Sequence, residues 1–385
     1  MTGPGRRRHR RAAGALVVAV LCGLAGASTG GPAYAAGAEP PPLPAAGTDC
    51  VGASSVSVDQ IPWPVARLAP MLAWPLSRGK GVIVAVVDSG VGSPPGLAGA
   101  VRPGRDVTSG GRGNSDCLGR GTALAGIAAA RLVGRSPVVG MAPEASVLPI
   151  RITDDNGQVP RDGLAKGVRA ATSLGADVIL VGTAVQTNAS ALRAAVAAAV
   201  ADDVVVVAPV ADGSQDSKGA GYPAAYKQVL AVGGVDVDGT QSEPYTPDLL
   251  APGFGIVAVG GAGHYQVGGP AVAAAYVAGA AALVRAYHPG LDQAEVRQRL
   301  TLTAIRSGAA AGVVDPYAAV AGLAPGLATH TPTARHDSVV PPRAPGTDPA
   351  VLRSLWLAGA LLAATLAVLA AAAVLRSRRR RLTDR

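Results

Sequence analysis

Five short apolar runs with no polar/apolar alternation constrain this chain more than any other feature. Gly81-Val82-Ile83-Val84-Ala85-Val86-Val87 ends on Asp88, and Val147–Ile152, Ala176–Gly182, Val204–Ala208 and Val229–Gly233 follow at wide intervals. Unalternated runs of this length suit strands covered on both faces, because each side chain must find apolar company whichever way it points. Helical stretches lie between them: Thr122–Ala130, Gly163–Leu174, and Ala189–Ala201 behind the start signal Asn188. Strands alternating with helices predict an α/β fold, a mostly parallel central sheet with helices on both faces. Residues 60–322 give enough chain for one large core.

The ends of the chain read differently. Arg6 to Arg11 form a basic segment, Ala12 to Ala25 an apolar one, and Ala33-Tyr34-Ala35 offers small residues for cleavage. Together they read as a secretory signal peptide over residues 1–36, followed by an N-terminal extension over 37–59. Leu355 to Leu375 carries no charge and is long enough for a bilayer core. Arg376 and Arg378 to Arg381 follow at once, and basic flanks stay cytoplasmic. The expected order is therefore the domain at 60–322, a Pro-rich linker at 323–353, one C-terminal transmembrane helix at 354–376 and a basic cytoplasmic tail at 377–385. The chain is expected in the cytoplasmic membrane as a single-pass protein, with its N-terminal domain extracytoplasmic and the lipid bilayer as a partner.

The formal net charge of +9 follows from this topology. Five Arg lie at or before Arg11 and six at or after Arg376, and without those segments the chain is near neutral. No basic face remains to argue for nucleic acid. Of the three cysteines, Cys22 belongs to the signal. Cys50 and Cys117 are an even pair in an exported chain, which points to a disulfide, with two free thiols as the alternative. No Cys/His set has metal-ligand spacing, and neither metal nor cofactor is expected.

Functional groups in open α/β sheets gather at the carboxyl ends of strands, where Asp88 stands. Alone, such an aspartate could be a metal ligand, a turn cap or a member of a catalytic triad. Its surroundings carry more. Trp74-Pro75-Leu76-Ser77-Arg78-Gly79-Lys80-Gly81 leads into Val84–Asp88 and Ser89-Gly90. Gly140-Met141-Ala142-Pro143, Leu249-Leu250-Ala251-Pro252-Gly253, which looks like a loop, Ala275–Val284 and Gly312-Val313-Val314-Asp315-Pro316-Tyr317 follow. On these residues the chain resembles the subtilisin-like (S8) serine proteases and, within them, the mycosins of type VII secretion systems; Cys50 and Cys117 match a cysteine pair of mycosins.

The resemblance implies a triad and shows it depleted. Asp88 falls on the triad aspartate. The family pattern Gly-His-Gly-Thr-x-x-Ala-Gly reads Gly119-Arg120-Gly121-Thr122-Ala123-Leu124-Ala125-Gly126, so Arg120 stands at the histidine. The pattern Gly-Thr-Ser-x-Ala reads Gly269-Pro270-Ala271-Val272-Ala273, so Ala271 stands at the serine. Asp212 falls nearest the oxyanion asparagine. A guanidinium stays protonated and only donates. A methyl group cannot attack a carbonyl, and a carboxylate repels a developing oxyanion. In subtilisin, losing the triad costs about 10⁶ in turnover, near 8 kcal/mol. Asp88 and Arg120 are expected to pair, the alternative being Arg120 turned to solvent. His264, seven residues before Ala271, is the one histidine expected near the cleft, and Ser89 reads as a turn residue.

The expectation is a membrane-anchored pseudoprotease. It would act as an extracytoplasmic scaffold with type VII secretion membrane-complex components, or bind extended peptide segments. The alternative is an active S8-family endopeptidase.

Overall fold

The computed structural model describes residues 39–44, 50–52, 54–211, 220–241, 244–260, 263–306 and 311–322, with 365, 371 and 372. The expected signal, linker and tail, Asp212, and the membrane span apart from residues 365, 371 and 372 lie outside the described residues.

Ten strands are named in chain order: β1 Ile83–Asp88, β2 Arg105–Asp106, β3 Ser146–Arg151, β4 Val178–Val181, β5 Val205–Pro209, β6 Leu230–Val235, β7 Leu249–Pro252, β8 Ile256–Val259, β9 His264–Val267 and β10 Gly312–Val313. Eight form one sheet in the order β10-β7-β6-β5-β4-β1-β3-β2, and every pair in it is parallel. The remaining two, β8 and β9, form an antiparallel hairpin. The five apolar runs are β1, β3, β4, β5 and β6, and each is buried along nearly its whole length. The stretch Leu249–Pro252, expected as part of a loop, is a strand between β6 and β10.

Successive strand residues face opposite layers, and the two cores follow that period. Val84, Val86, Val178, Leu180, Val205 and Val207 face one core. Ala85, Val87, Ile179, Val181, Val206 and Ala208 face the other. The helices are α1 Trp63–Leu68, α2 Arg120–Ala129, α3 Gly163–Ser173, α4 Ser190–Ala201, α5 Pro270–Tyr287, α6 Gln293–Leu302 and α7 Pro316–Ala321. The first core holds α2 and α5, and the second holds α3 and α4. Asn188 does not start α4 as expected. That helix begins after Ala189 without a side-chain cap, and Asn188 instead accepts from Tyr226 Oη at 3.0 Å.

The 18-residue α5 is apolar on every side because it runs through the core. Among the described residues it is the one helix long and apolar enough to span a bilayer, yet it is mostly buried inside the domain. Small residues let it approach its neighbours: a Cβ on Gly279 would lie 2.5 Å from Met141 Cβ and 2.9 Å from the Ala128 carbonyl oxygen. Neither neighbour can yield without moving backbone. Gly279→Ala should therefore destabilise the domain by about 1–3 kcal/mol as overpacking strain, read from a urea midpoint. A neutral substitution would show that α5 is free to shift.

Candidate functional site: the cleft at Asp88 and Arg120

The sheet order reverses beside β1, since β3 flanks it on one side and β4 on the other. Such switch points open a crevice at the carboxyl ends of the strands. Asp88 closes β1 at this point and is 0% exposed. Its Oδ1 accepts from the Ser89 amide at 2.6 Å and from Arg120 Nε at 2.8 Å. Among the described residues its Oδ2 has no hydrogen-bond partner, and it packs against Gly182, where a Cβ would come within 1.9 Å. Gly182 follows β4, so a glycine across the switch point makes room for the carboxylate.

Arg120 opens α2, and its side chain, 39% exposed, reaches back to Asp88. The expected ion pair is present. Asp88 pushes the Arg120 guanidinium further up in pKa, so it holds its proton more firmly still. The arginine Nη2 is buried without a partner among the described residues.

A second carboxylate, which the sequence reading missed, organises the same corner. Asp116 accepts from Ser89 Oγ at 2.8 Å, the Gly119 amide at 2.9 Å, the Thr122 amide at 2.7 Å and Thr122 Oγ1 at 2.6 Å. It thereby satisfies an orphan donor of the first turn of α2, whose own N-cap, Gly119, supplies no side chain. Ser89 Oγ also accepts from the Gly121 amide at 3.0 Å. The expected turn role of Ser89 is thus a tie between β1 and α2. Burial pushes the Asp116 carboxyl up in pKa against these hydrogen bonds. The signal for it was available: an acidic residue three positions before a glycine that precedes a helix, with a threonine six on.

Ala271 is the second residue of α5, after Gly269 at φ 115° and Pro270. Arg120 and Ala271 line one cavity of about 610 Å³, walled also by Leu118, Leu124, the Asn156–Gln158 loop and Gln266. Pro42 to Pro44 of the N-terminal extension close one side. That extension lies along β9, with the Leu43 amide donating to the Gln266 carbonyl and the Gln266 amide to the Pro41 carbonyl, both at 2.8 Å. Cys50 and Cys117 are joined by a disulfide, which fastens it beside the start of α2.

His264 is not in this cleft. It opens β9 and lines a separate cavity of about 330 Å³. Its Nδ1 accepts from the Val58 amide at 3.2 Å, so the neutral ring carries its proton on Nε2, 3.4 Å from Ser136 Oγ. A protonated Nε2 donates to that hydroxyl and cannot act as its base. Among the described residues, no group of His, Cys, Asp and Glu is placed to hold a metal ion.

This corner belongs to a known architecture. The subtilase family profile (peptidase S8) matches residues 79–338, and the chain belongs to that family. It is 33% identical over 240 residues to subtilisin DY of Bacillus licheniformis, covering 60% of this chain and 86% of that one. Among solved structures it is similar to MycP1 from Mycobacterium smegmatis (28% identity, TM-score 0.62, 74% of this chain and 89% of that one). It is likewise similar to MycP3 of the type VII (ESX-3) secretion system (29%, TM-score 0.61, 73% and 96%).

Two outcomes are expected. Arg120→Ala leaves a buried carboxylate without its partner. Denaturant unfolding should show a loss of about 2 kcal/mol, less than the ~3–5 typical of a fully buried pair because water reaches Arg120. Arg120→Lys should recover part of it, and an unchanged midpoint for the alanine variant would mean the pair adds nothing. Burial lowers the His264 pKa below its ordinary value near 6.5. The unfolded chain then takes up this proton first, so the histidine's contribution is intact above about pH 6.5 and is lost as pH falls towards the folded-state value. Asp116, with its raised pKa, works in the opposite sense, so the comparison is made against His264→Asn. Wild type should lose more stability between pH 7.5 and 5.5 than that variant, and equal slopes would exclude His264 as the titrating group.

Proposed function

We propose that this chain is a mycosin-like, membrane-anchored component of a type VII secretion system that does not cleave peptides, and that its domain serves as an extracytoplasmic scaffold. One observation carries the reading: Arg120 is paired with Asp88 at 2.8 Å in the cavity that Ala271 also lines. The general base of a serine protease must accept a proton from its nucleophile. Here the position nearest the aspartate holds a cation with no lone pair, and the head of α5 offers a methyl group. The pair is static, since Asp88 fastens the guanidinium rather than polarising an imidazole. Asp212, in place of an oxyanion donor, would remove the remaining source of transition-state stabilisation. The secretion role rests on likeness to MycP1, one of whose structures is described as an essential component of the type VII (ESX-1) system. The anchor rests on the apolar stretch Leu355 to Leu375 and the arginines behind it.

A second reading, capture of extended peptide segments, is favoured by the cavity of about 610 Å³, which keeps polar groups on the Asn156–Gln158 loop and at Gln266. The third, an active endopeptidase, has the family in its favour and the chemistry against it.

The purified full chain should take no label from a fluorophosphonate probe and should hydrolyse casein no faster than buffer. The triple variant Arg120→His, Ala271→Ser, Asp212→Asn should gain labelling at residue 271. Labelling of the native chain at a serine, abolished by Asp88→Asn, would overturn the non-catalytic reading. Pull-down from membranes should recover type VII membrane-complex components equally with the native chain and with Ala271→Ser. Recovery of none would remove the scaffold role.

A further inference from the structure

The second cavity, at the far end of α2, has features that the cleft at Asp88 and Arg120 does not explain. It lies under the segment Arg131-Leu132-Val133-Gly134-Arg135, which follows α2, and against β9 and the extension at Ser57 to Asp59. Its volume of about 330 Å³ falls within the range of small-molecule sites, ~300–1,000 Å³.

Three donor side chains line it, and surrounding bonds fix two of them. Arg131 donates from Nη1 to the Ala98 carbonyl at 3.1 Å and from Nη2 to the Gly99 carbonyl at 3.2 Å. These hold the guanidinium in place and leave a second N–H on each nitrogen. Arg135 lines the cavity and makes no hydrogen bond or ion pair among the described residues. Ser136 Oγ accepts from the Val138 amide at 3.3 Å and from His264 Nε2 at 3.4 Å. With both lone pairs engaged, its own O–H is left to donate, and no protein acceptor takes it among the described residues. Two arginines and a hydroxyl with donor capacity to spare thus line one space. The facing carboxylate, Asp59, forms no salt bridge with either arginine. His264 is neutral, burial having lowered its pKa, so the lining carries a net positive charge.

Oxyanions of phosphorus match this donor set, since arginine forks pair with phosphate oxygens in two parallel bonds. The segment that carries the two arginines says which phosphate. Leu132 is 64% exposed and Val133 41%, adjacent in sequence and bracketed by the two arginines. Exposed aliphatic side chains between cations suit a membrane interface, where apolar groups enter the acyl boundary and cations meet anionic headgroups. We propose that this cavity binds the phosphate of an anionic phospholipid headgroup, with Leu132 and Val133 entering the adjoining acyl layer. The site is independent of whether the cleft at Arg120 cleaves, binds or does neither.

The test is titration calorimetry on the full chain held in amphipol. The probes are dihexanoyl-phosphatidylglycerol below its micellar concentration, the matching phosphatidylcholine, and sodium phosphate. The anionic lipid should bind at least tenfold more tightly than either of the others. Arg135→Gln should weaken both the anionic lipid and phosphate at least tenfold. Leu132→Ser should weaken the lipid at least threefold and leave phosphate unchanged. Both side chains are exposed, so an unaltered melting temperature is expected and shows that the variants fold. Phosphate binding as tightly as the lipid would overturn the lipid assignment. Lipid binding that is absent, or indifferent to Arg135→Gln, would overturn the site.

Discussion

A carboxylate at 0% exposure, at the end of a central parallel strand, is the constraint on which this corner of the molecule depends. Moving an ion of that size out of water costs several kcal/mol unless a counter-charge or donors meet it. Here Arg120 Nε and the Ser89 amide do so. The arginine reaches the carboxylate from the first turn of α2, so the ion pair also fixes where that helix starts. Asp116 does the same from the other side, through Ser89, Gly119 and Thr122. The start of α2 is therefore held by two carboxylates on separate segments. Neither is replaceable by an apolar residue without leaving amide donors unmet.

This arrangement separates what catalysis would need from what the fold needs. A serine protease asks its aspartate to orient a histidine that changes protonation during turnover. A structural pair asks only for a permanent opposite charge. Asp88 meets the second demand with a partner that cannot meet the first. Retaining the aspartate is thus no argument for activity. The same holds for the small residues around it. A Cβ on Gly121 would lie 2.0 Å from the Gly90 carbonyl oxygen, so the turn after β1 can abut α2 whatever chemistry the cleft performs.

The sheet was legible in the sequence because its strands are covered on both faces. β1, β3, β4, β5 and β6 appear as apolar runs displaced by no more than a few residues from their observed bounds. β7 was read as a loop from its likeness to the subtilase Ala-Pro-Gly loop, and pairing with β6 makes its first four residues a strand. Asn188 looked like a helix start because its chemistry suits that role, yet Tyr226 claims its oxygen from 38 residues away. That Asp88 and Arg120 meet, and that Ala271 lines the same cavity as Arg120, was legible because the motifs around them are dense. Asp116 was missed because it falls outside those motifs, although two of its four donors, the hydroxyls of Ser89 and Thr122, are visible in the sequence. His264 was expected near the cleft from its nearness to Ala271 in sequence. β9 is extended, however, and carries Gln266 into one cavity and His264 into the other.

The two cavities share walls without sharing electrostatics. Arg120 opens α2, and Arg131 and Arg135 follow its end. Ten residues of helix separate the sites by about 15 Å. That exceeds the Debye length of ~8 Å at physiological salt, so charge in one is screened from the other across solvent. Mechanical connection is closer. The extension pairs with Gln266 at the first cavity, is joined to the start of α2 through Cys50 and Cys117, and reaches His264 through Val56 and Val58 at the second. Loosening this segment would open one side of each cavity together, whereas a substitution at Arg120 or Arg135 acts on one alone. The extension is thus a structural wall of both sites, and their independence as binding sites holds only while it stays seated.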